Sequence, residues 1–299
     1  MGSSMSLVMA MQFGDRTCIL SDSMISDTNT TDHDVIPGQL KTIVLNKEVS
    51  VSYSGSTNKA ISKIREIRMD LSKRIYFEEI LESLNEFTAD ENGEVGFIVS
   101  SHMGIPKLYK IADGQIHYGL DMYWIGNEAA AGRVLEEFEK DDRVIDELPN
   151  NMTREEYKLR DAFKNAVYEK ESPYTGGLIF DCIGTPGGYR YNNHATVHAG
   201  DRMSLDITFD NTAQLANEKQ GPESYSLSLV SPNERSLAVT GAFFERNNMG
   251  FIYSPLDPDF DLRGEDVLGK PEAIYPVTLK GFVNEVEKYA SRLETYLGG

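Results

Sequence analysis

Residues 6–22 read SLVMAMQFGDRTCILSD. Leu7–Gln12 is an apolar run, Gly14-Asp15 is a turn dipeptide, and Thr17–Ser21 is a second apolar run. Two apolar runs joined by a tight glycine–aspartate turn predict a β-hairpin. The hairpin is framed by two polar residues, Ser6 directly before it and Asp22 at its end.

Working outward, residues 26–40 form a polar loop carrying Pro37-Gly38. Lys41–Leu45 and Val49–Tyr53 read as two short strands around Asn46-Lys47-Glu48, and Gly55 marks a stop. Ala60, Ile64, Ile67, Leu71 and Ile75 then recur every three or four residues, the spacing of one helix face, with Ser56 or Thr57 as its cap. A second helix carries Phe77, Leu81, Leu84 and Phe87. Strands return at Val95–Ser100, Lys107–Ile111 and Tyr123–Gly126, with a turn at Asp113-Gly114.

Another helix pair follows. One member uses Ala130, Val134, Leu135 and Phe138; the other opens on Thr153 with Glu156 three residues later, a capping box, and buries Leu159, Phe163 and Val167. Beyond Tyr174-Thr175-Gly176-Gly177 lie strands at Leu178–Ile183 and Tyr189–Tyr191, with Gly184–Gly188 as the turn between them. Residues 203–209 and 225–230 alternate as half-exposed strands do. Residues 236–244 and 250–254 suggest a hairpin around Arg246-Asn247-Asn248, and Pro255–Pro271 a loop. Phe282, Val286, Tyr289, Leu293 and Tyr296 mark a last helix. Strand blocks alternating with helix pairs predict an α+β fold: a four-layer αββα sandwich, two antiparallel sheets between helix layers. The domain reading is a leader or expression remnant over 1–5, then a single domain over 6–299 whose segment 200–299 is an extension ending in a helix.

Composition narrows the function. The chain has 299 residues and a formal net charge of −18. That balance argues against nucleic acid, which needs a basic face, and against an anionic membrane surface. No apolar run reaches the roughly 18–20 residues of a membrane helix, and the first segment has no basic head of the signal-peptide kind. The two cysteines, Cys18 and Cys182, are too few for a disulfide framework or a cysteine metal cluster, which points to a reducing cytoplasm. No phosphate-binding loop, dinucleotide fingerprint, His-Glu-x-x-His or Gly-x-Ser-x-Gly pattern is present. His194 and His198 are four apart but sit among strand and turn residues, so they read as surface histidines. No metal or cofactor is expected.

What remains is a dispersed set: Ser6 before the first strand, Asp22 ending the second, Lys41 opening the third, and Gly55 after the fourth. Each has a plain structural explanation when taken singly. Together, their order and intervals resemble the proteasome β-subunits among the N-terminal-nucleophile hydrolases. Ser6 to Asp22 spans 16 positions and Lys41 to Gly55 spans 14, the family's intervals. Ile125-Gly126-Asn127 resembles its Ile-Gly-Ser, and Tyr174-Thr175-Gly176-Gly177 its Tyr-Ser-Gly-Gly. The resemblance covers roughly residues 6–195. It departs at Ser172, where the family has a second aspartate that helps orient the nucleophile, and in a longer loop before Lys41. The region after about residue 200 is unmatched.

The resemblance implies a serine nucleophile at Ser6 activated by its own α-amine. An α-amine titrates near ~7.7–8.0, far nearer neutrality than a lysine at ~10.4. Lys41 would be the neighbouring cation, Asp22 its anchor, and the Gly55 N–H the oxyanion donor. Asn127 and Thr175 would support the amine, with Ser172 at the family's third supporting position. Met24 and Tyr53 would wall an apolar substrate pocket. Met5 precedes Ser6, and the amine becomes free only when residues 1–5 are removed. The implied partners are a peptide or protein substrate and further copies of the chain in a ring. The alternative is a catalytically inactive homologue acting as a ring-forming scaffold or sensor, and amidases of small molecules share the same kind of site.

Overall fold

The computed structural model describes residues 6–23, 39–71, 76–91, 93–142, 148, 152–168, 175, 179–191, 194–198, 204–208, 227–230, 240–244, 249–253, 271–274, 277–278, 280–286 and 288. Strand β1 (Leu7–Phe13) turns at Gly14-Asp15 into β2 (Arg16–Asp22), pairing Val8 with Ser21 and Phe13 with Arg16. Gly14 has φ +63°, the left-handed turn conformation that glycine adopts without strain. Leu7 and Met9 pack into the core beneath the second helix pair, so by strand alternation Ser6, Val8 and Ala10 face the other way. Both faces are covered, which is why the strand reads as a continuous apolar run.

The first unit comprises Met1–Leu148 and Thr153–Tyr189. One five-stranded antiparallel sheet has the order β10-β9-β2-β1-β8, with β8 at Met122–Gly126, β9 at Ile179–Thr185 and β10 at Gly188–Tyr191. The other has the order β3-β4-β5-β6-β7: Thr42–Val44, Val49–Gly55, Val95–Ser101, Lys107–Ala112 and Gln115–Tyr118. The sheets touch through β8 over β5 and β6 and through β1 over β4. Helices α1 (Thr57–Leu71) and α2 (Phe77–Asp90) lie against the second sheet, α3 (Glu128–Lys140) and α4 (Arg154–Tyr168) against the first. The result is a layered α+β arrangement.

The helix signals act as the spacing predicts. α1 buries Ala60, Ile64 and Ile67, and α2 buries Ile80, Leu81 and Leu84. The described part of α1 is Thr57–Leu71, and Ile75 lies outside the described residues. At α4, the Thr153 N–H donates to Glu156 Oε2 at 2.8 Å and the Glu156 N–H to Thr153 Oγ1 at 3.2 Å, closing the capping box. Leu159, Phe163 and Val167 sit in the core with Ala130, Val134 and Cys18.

β7 was not legible in the sequence. Gln115-Ile116-His117-Tyr118 carries one aliphatic residue and is largely exposed, and it is held by pairing Tyr109 with Tyr118 and Ala112 with Gln115.

The second unit comprises Pro149–Met152 and Arg190–Gly299, where the sequence reads as an extension from residue 200. It builds sheets of its own, which is why it separates. β11 (His194–His198) pairs with β12 (Ser204–Thr208), and the order β13-β14-β15-β16 joins Leu227–Val230, Thr240–Phe244, Met249–Tyr253 and Pro271–Ile274. The expected hairpin is β14–β15. Phe282, in the helical residues 280–286, is fully buried, and a Cβ on Gly250 would lie 2.1 Å from its ring. Among the described residues, no helix is long and apolar enough to cross a membrane.

Candidate active site

The ends of four strands meet in the first unit. Asp22 closes β2, Lys41 precedes β3, Ser54 and Gly55 close β4, and Ser6 precedes β1. Lys41 Nζ donates to Asp22 Oδ1 at 2.7 Å, and the same oxygen accepts the Leu7 N–H at 3.0 Å. One carboxylate oxygen thus ties the buried ammonium to the backbone immediately after Ser6. Both side chains are buried, Lys41 2% and Asp22 0% exposed, so each charge depends on the other. Burial lowers the Lys41 pKa, and the Asp22 charge and hydrogen bond oppose that shift.

The Ser6 side chain lies in the same layer. Ser6 Oγ and Ser54 Oγ are hydrogen-bonded at 2.7 Å, and both residues are buried. Ser6 is also held through its backbone: the Asn127 N–H donates to the Ser6 carbonyl at 2.7 Å. Gly126 has φ +101°, and a Cβ there would lie 2.0 Å from that carbonyl oxygen and 2.8 Å from Ser54 Oγ. Gly55 has φ +100°, and its Cβ would lie 1.9 Å from the Glu94 carbonyl oxygen. Glycine is required at both positions for backbone conformation and for space.

The sequence-predicted residues therefore divide. Ser6, Asp22, Lys41 and Gly55 come together at one end of the two sheets. Asn127 reaches Ser6 through its backbone, while its side chain caps α3 by accepting the Ala130 N–H at 2.9 Å. Thr175 Oγ1 donates to the Val167 carbonyl at 3.5 Å. Tyr53 is fully buried and its hydroxyl donates to the Leu40 carbonyl at 3.2 Å, which makes it a core residue rather than a pocket wall. Met24, Ser172, Tyr174, Gly176, Gly177 and residues 1–5 lie outside the described residues.

Ser54 is the residue that the sequence reading missed. A signal was present: Ser50, Ser52 and Ser54 alternate with Val49, Val51 and Tyr53, so β4 carries a hydroxyl face although every residue from Val49 to Ser54 is buried. A second polar cluster lies at the other end of the sheets. Thr17 Oγ1 and His102 Nε2 are 3.1 Å apart, the Tyr189 hydroxyl donates to Ser100 Oγ at 2.7 Å, and the His102 and Tyr189 rings meet edge to face. Both cysteines are buried free thiols with raised pKa values, chiefly from burial.

No protein-family model matches the chain, and no curated protein matches it. Among the described residues, no cluster of three or more metal-binding side chains occurs.

Proposed function

We propose that the chain is an amidohydrolase of the N-terminal-nucleophile type, a proteasome-like peptidase on a four-layer αββα sandwich, with Ser6 as nucleophile. The observation that carries this reading is the shared Asp22 oxygen, which joins the Lys41 ammonium to the Leu7 amide beside Ser6. A buried cation at that position lowers the pKa of an α-amine on Ser6, leaving it unprotonated near neutral pH.

In the proposed reaction, Ser6 Oγ attacks the substrate carbonyl carbon and its proton passes to the Ser6 amine. The Gly55 N–H donates to the developing oxyanion, an effect worth about 10²–10³ in rate in other enzymes. The amine then protonates the leaving nitrogen as the amide bond breaks. Water gives a proton to the same amine and attacks the resulting ester; the acyl–Oγ bond breaks, the amine returns that proton to Ser6 Oγ, and the carboxylic acid leaves.

The test uses the chain made to begin at Ser6. A β-lactone or epoxyketone probe is expected to give a single adduct on Ser6 by intact mass and peptide mapping, and Ser6→Ala is expected to take none. A folded chain shown to begin at Ser6 that takes no adduct overturns the reading.

One observation favours the non-catalytic alternative. Ser6 is only 4% exposed and its hydroxyl is engaged by Ser54, as befits a structural residue. On that reading the protein is a ring-forming scaffold or sensor, and native mass spectrometry would give the same assembly for Ser6→Ala as for the parent.

A further inference from the structure

The last strands of the two sheets, β7 and β8, are both edge strands. A groove of about 560 Å³ opens between them, walled by residues of β6, β7 and β8 and by Leu120 in the link. It runs along the side of the layered unit and needs neither Ser6 nor Lys41.

The walls are chemically distinctive. Lys110 Nζ stands 4.7 Å from the centre of the Trp124 ring, a cation–π contact that holds the ammonium at the groove surface. His117 lines the same wall, and the described lining residues include no aspartate or glutamate. The whole chain carries 47 acidic residues against 29 lysines and arginines, so described lining residues with one lysine and no carboxylate depart from the protein's general character. Tyr118 and Leu120 are 73% and 64% exposed, large apolar side chains left in water.

We propose that this groove binds an extended, acidic and apolar segment of a partner protein. The shape favours a strand-like guest, because two edge strands border the groove and strand addition uses main-chain groups of that kind. Local charge favours carboxylates, which Lys110 attracts. Tyr118, Leu120 and Trp124 supply the apolar and aromatic contact that fixes alternate side chains of an extended peptide.

Trp124 is the only tryptophan in the chain, so the groove reports on itself. The probes are capped peptides of alternating glutamate and leucine, and of alternating lysine and leucine, titrated into the full chain at neutral pH. Trp124 emission should change saturably with the acidic peptide, and calorimetry should give the same affinity. The basic peptide should bind about tenfold or more weakly, the factor that ~1.4 kcal/mol represents. Lys110→Glu should reverse that preference. Leu120→Ser, at an exposed position, should weaken the acidic peptide several-fold without shifting the thermal midpoint. Equal affinity for the two peptides, no saturable response to the acidic one by either method, or an unchanged preference in a folded Lys110→Glu protein overturns the proposal.

Discussion

Ser6 Oγ and Ser54 Oγ share a hydrogen bond of 2.7 Å where the first strand of one sheet begins and the fourth strand, in the other sheet, ends. The bond spans 48 positions of sequence and joins two buried side chains. It sets the direction of the hydroxyl that the proposed chemistry uses, and it bears on the first prediction.

Ser54→Ala, in the chain made to begin at Ser6, is expected to slow acylation by the β-lactone about tenfold while leaving the fold intact. A hydrogen bond of this kind is worth about 0.5–1.5 kcal/mol net, and the upper end of that range is about one decade in rate. Ser54→Thr, which keeps the hydroxyl, should restore much of the loss. The measurement is the second-order rate constant for adduct formation by mass spectrometry.

The Asp22–Lys41 pair predicts a non-additive stability result. Asp22→Asn or Lys41→Met alone removes the opposite charge from a buried ion pair, at a cost of about 3–5 kcal/mol. The double variant should lose clearly less than the sum of the two, because neither charge is then stranded. Urea unfolding of the four proteins closes the cycle.

Three glycines should rank by conformation and space. Gly55→Ala and Gly126→Ala combine positive φ with Cβ positions 1.9 Å and 2.0 Å from carbonyl oxygens, so the backbone must move. Gly14→Ala, at φ +63° with open space around it, meets the conformational penalty alone, about 1–2 kcal/mol. Thermal unfolding should show a modest loss at Gly14 and a far larger one, or failure to fold, at the other two.

Glu156 serves two partners. Its carboxylate accepts the Thr153 N–H at the start of α4 and both Arg16 Nε at 2.6 Å and Arg16 Nη2 at 3.0 Å. Glu156→Ala should therefore cost more than the ~1 kcal/mol of a lost helix cap, and Arg16→Ala should cost less in the Glu156→Ala background than in the parent, because the two changes share one ion pair. Denaturant midpoints for the two single variants and the double variant test this.

His102 predicts a pH dependence. Burial lowers its pKa, and the Asp15 charge opposes that shift only in part. The folded protein therefore keeps the ring neutral where the unfolded chain, with a histidine pKa near ~6.5, takes up a proton. Stability from this group is complete above ~6.5, falls as pH drops through that value, and stops falling below the folded-state pKa. Comparing His102→Gln with the parent between neutral and acidic pH should show the parent losing more. Equal slopes would remove His102 as the cause.

The sequence by itself determined what depends on local pattern. The apolar hairpin of Leu7–Gln12 and Thr17–Ser21 and the Thr153–Glu156 capping box formed where periodicity and cap chemistry put them. So did the buried faces of Ile64 and Leu84, because strand alternation and helix spacing each act within a few residues. The family resemblance in the order and intervals of Ser6, Asp22, Lys41 and Gly55 singled out a set of residues that share one end of the sheets. Only the tertiary structure decided which atoms meet there. Nothing near Ser54 in the chain announces a bond to Ser6, and nothing near Tyr53 shows that its hydroxyl is taken by Leu40. The same holds for β7, whose four residues form a strand through pairing with β6 rather than through their own preference, and for the groove that β7 borders. Local pattern fixes which way a side chain points along its own strand, whereas the stacking and register of strands distant in sequence fix what it touches.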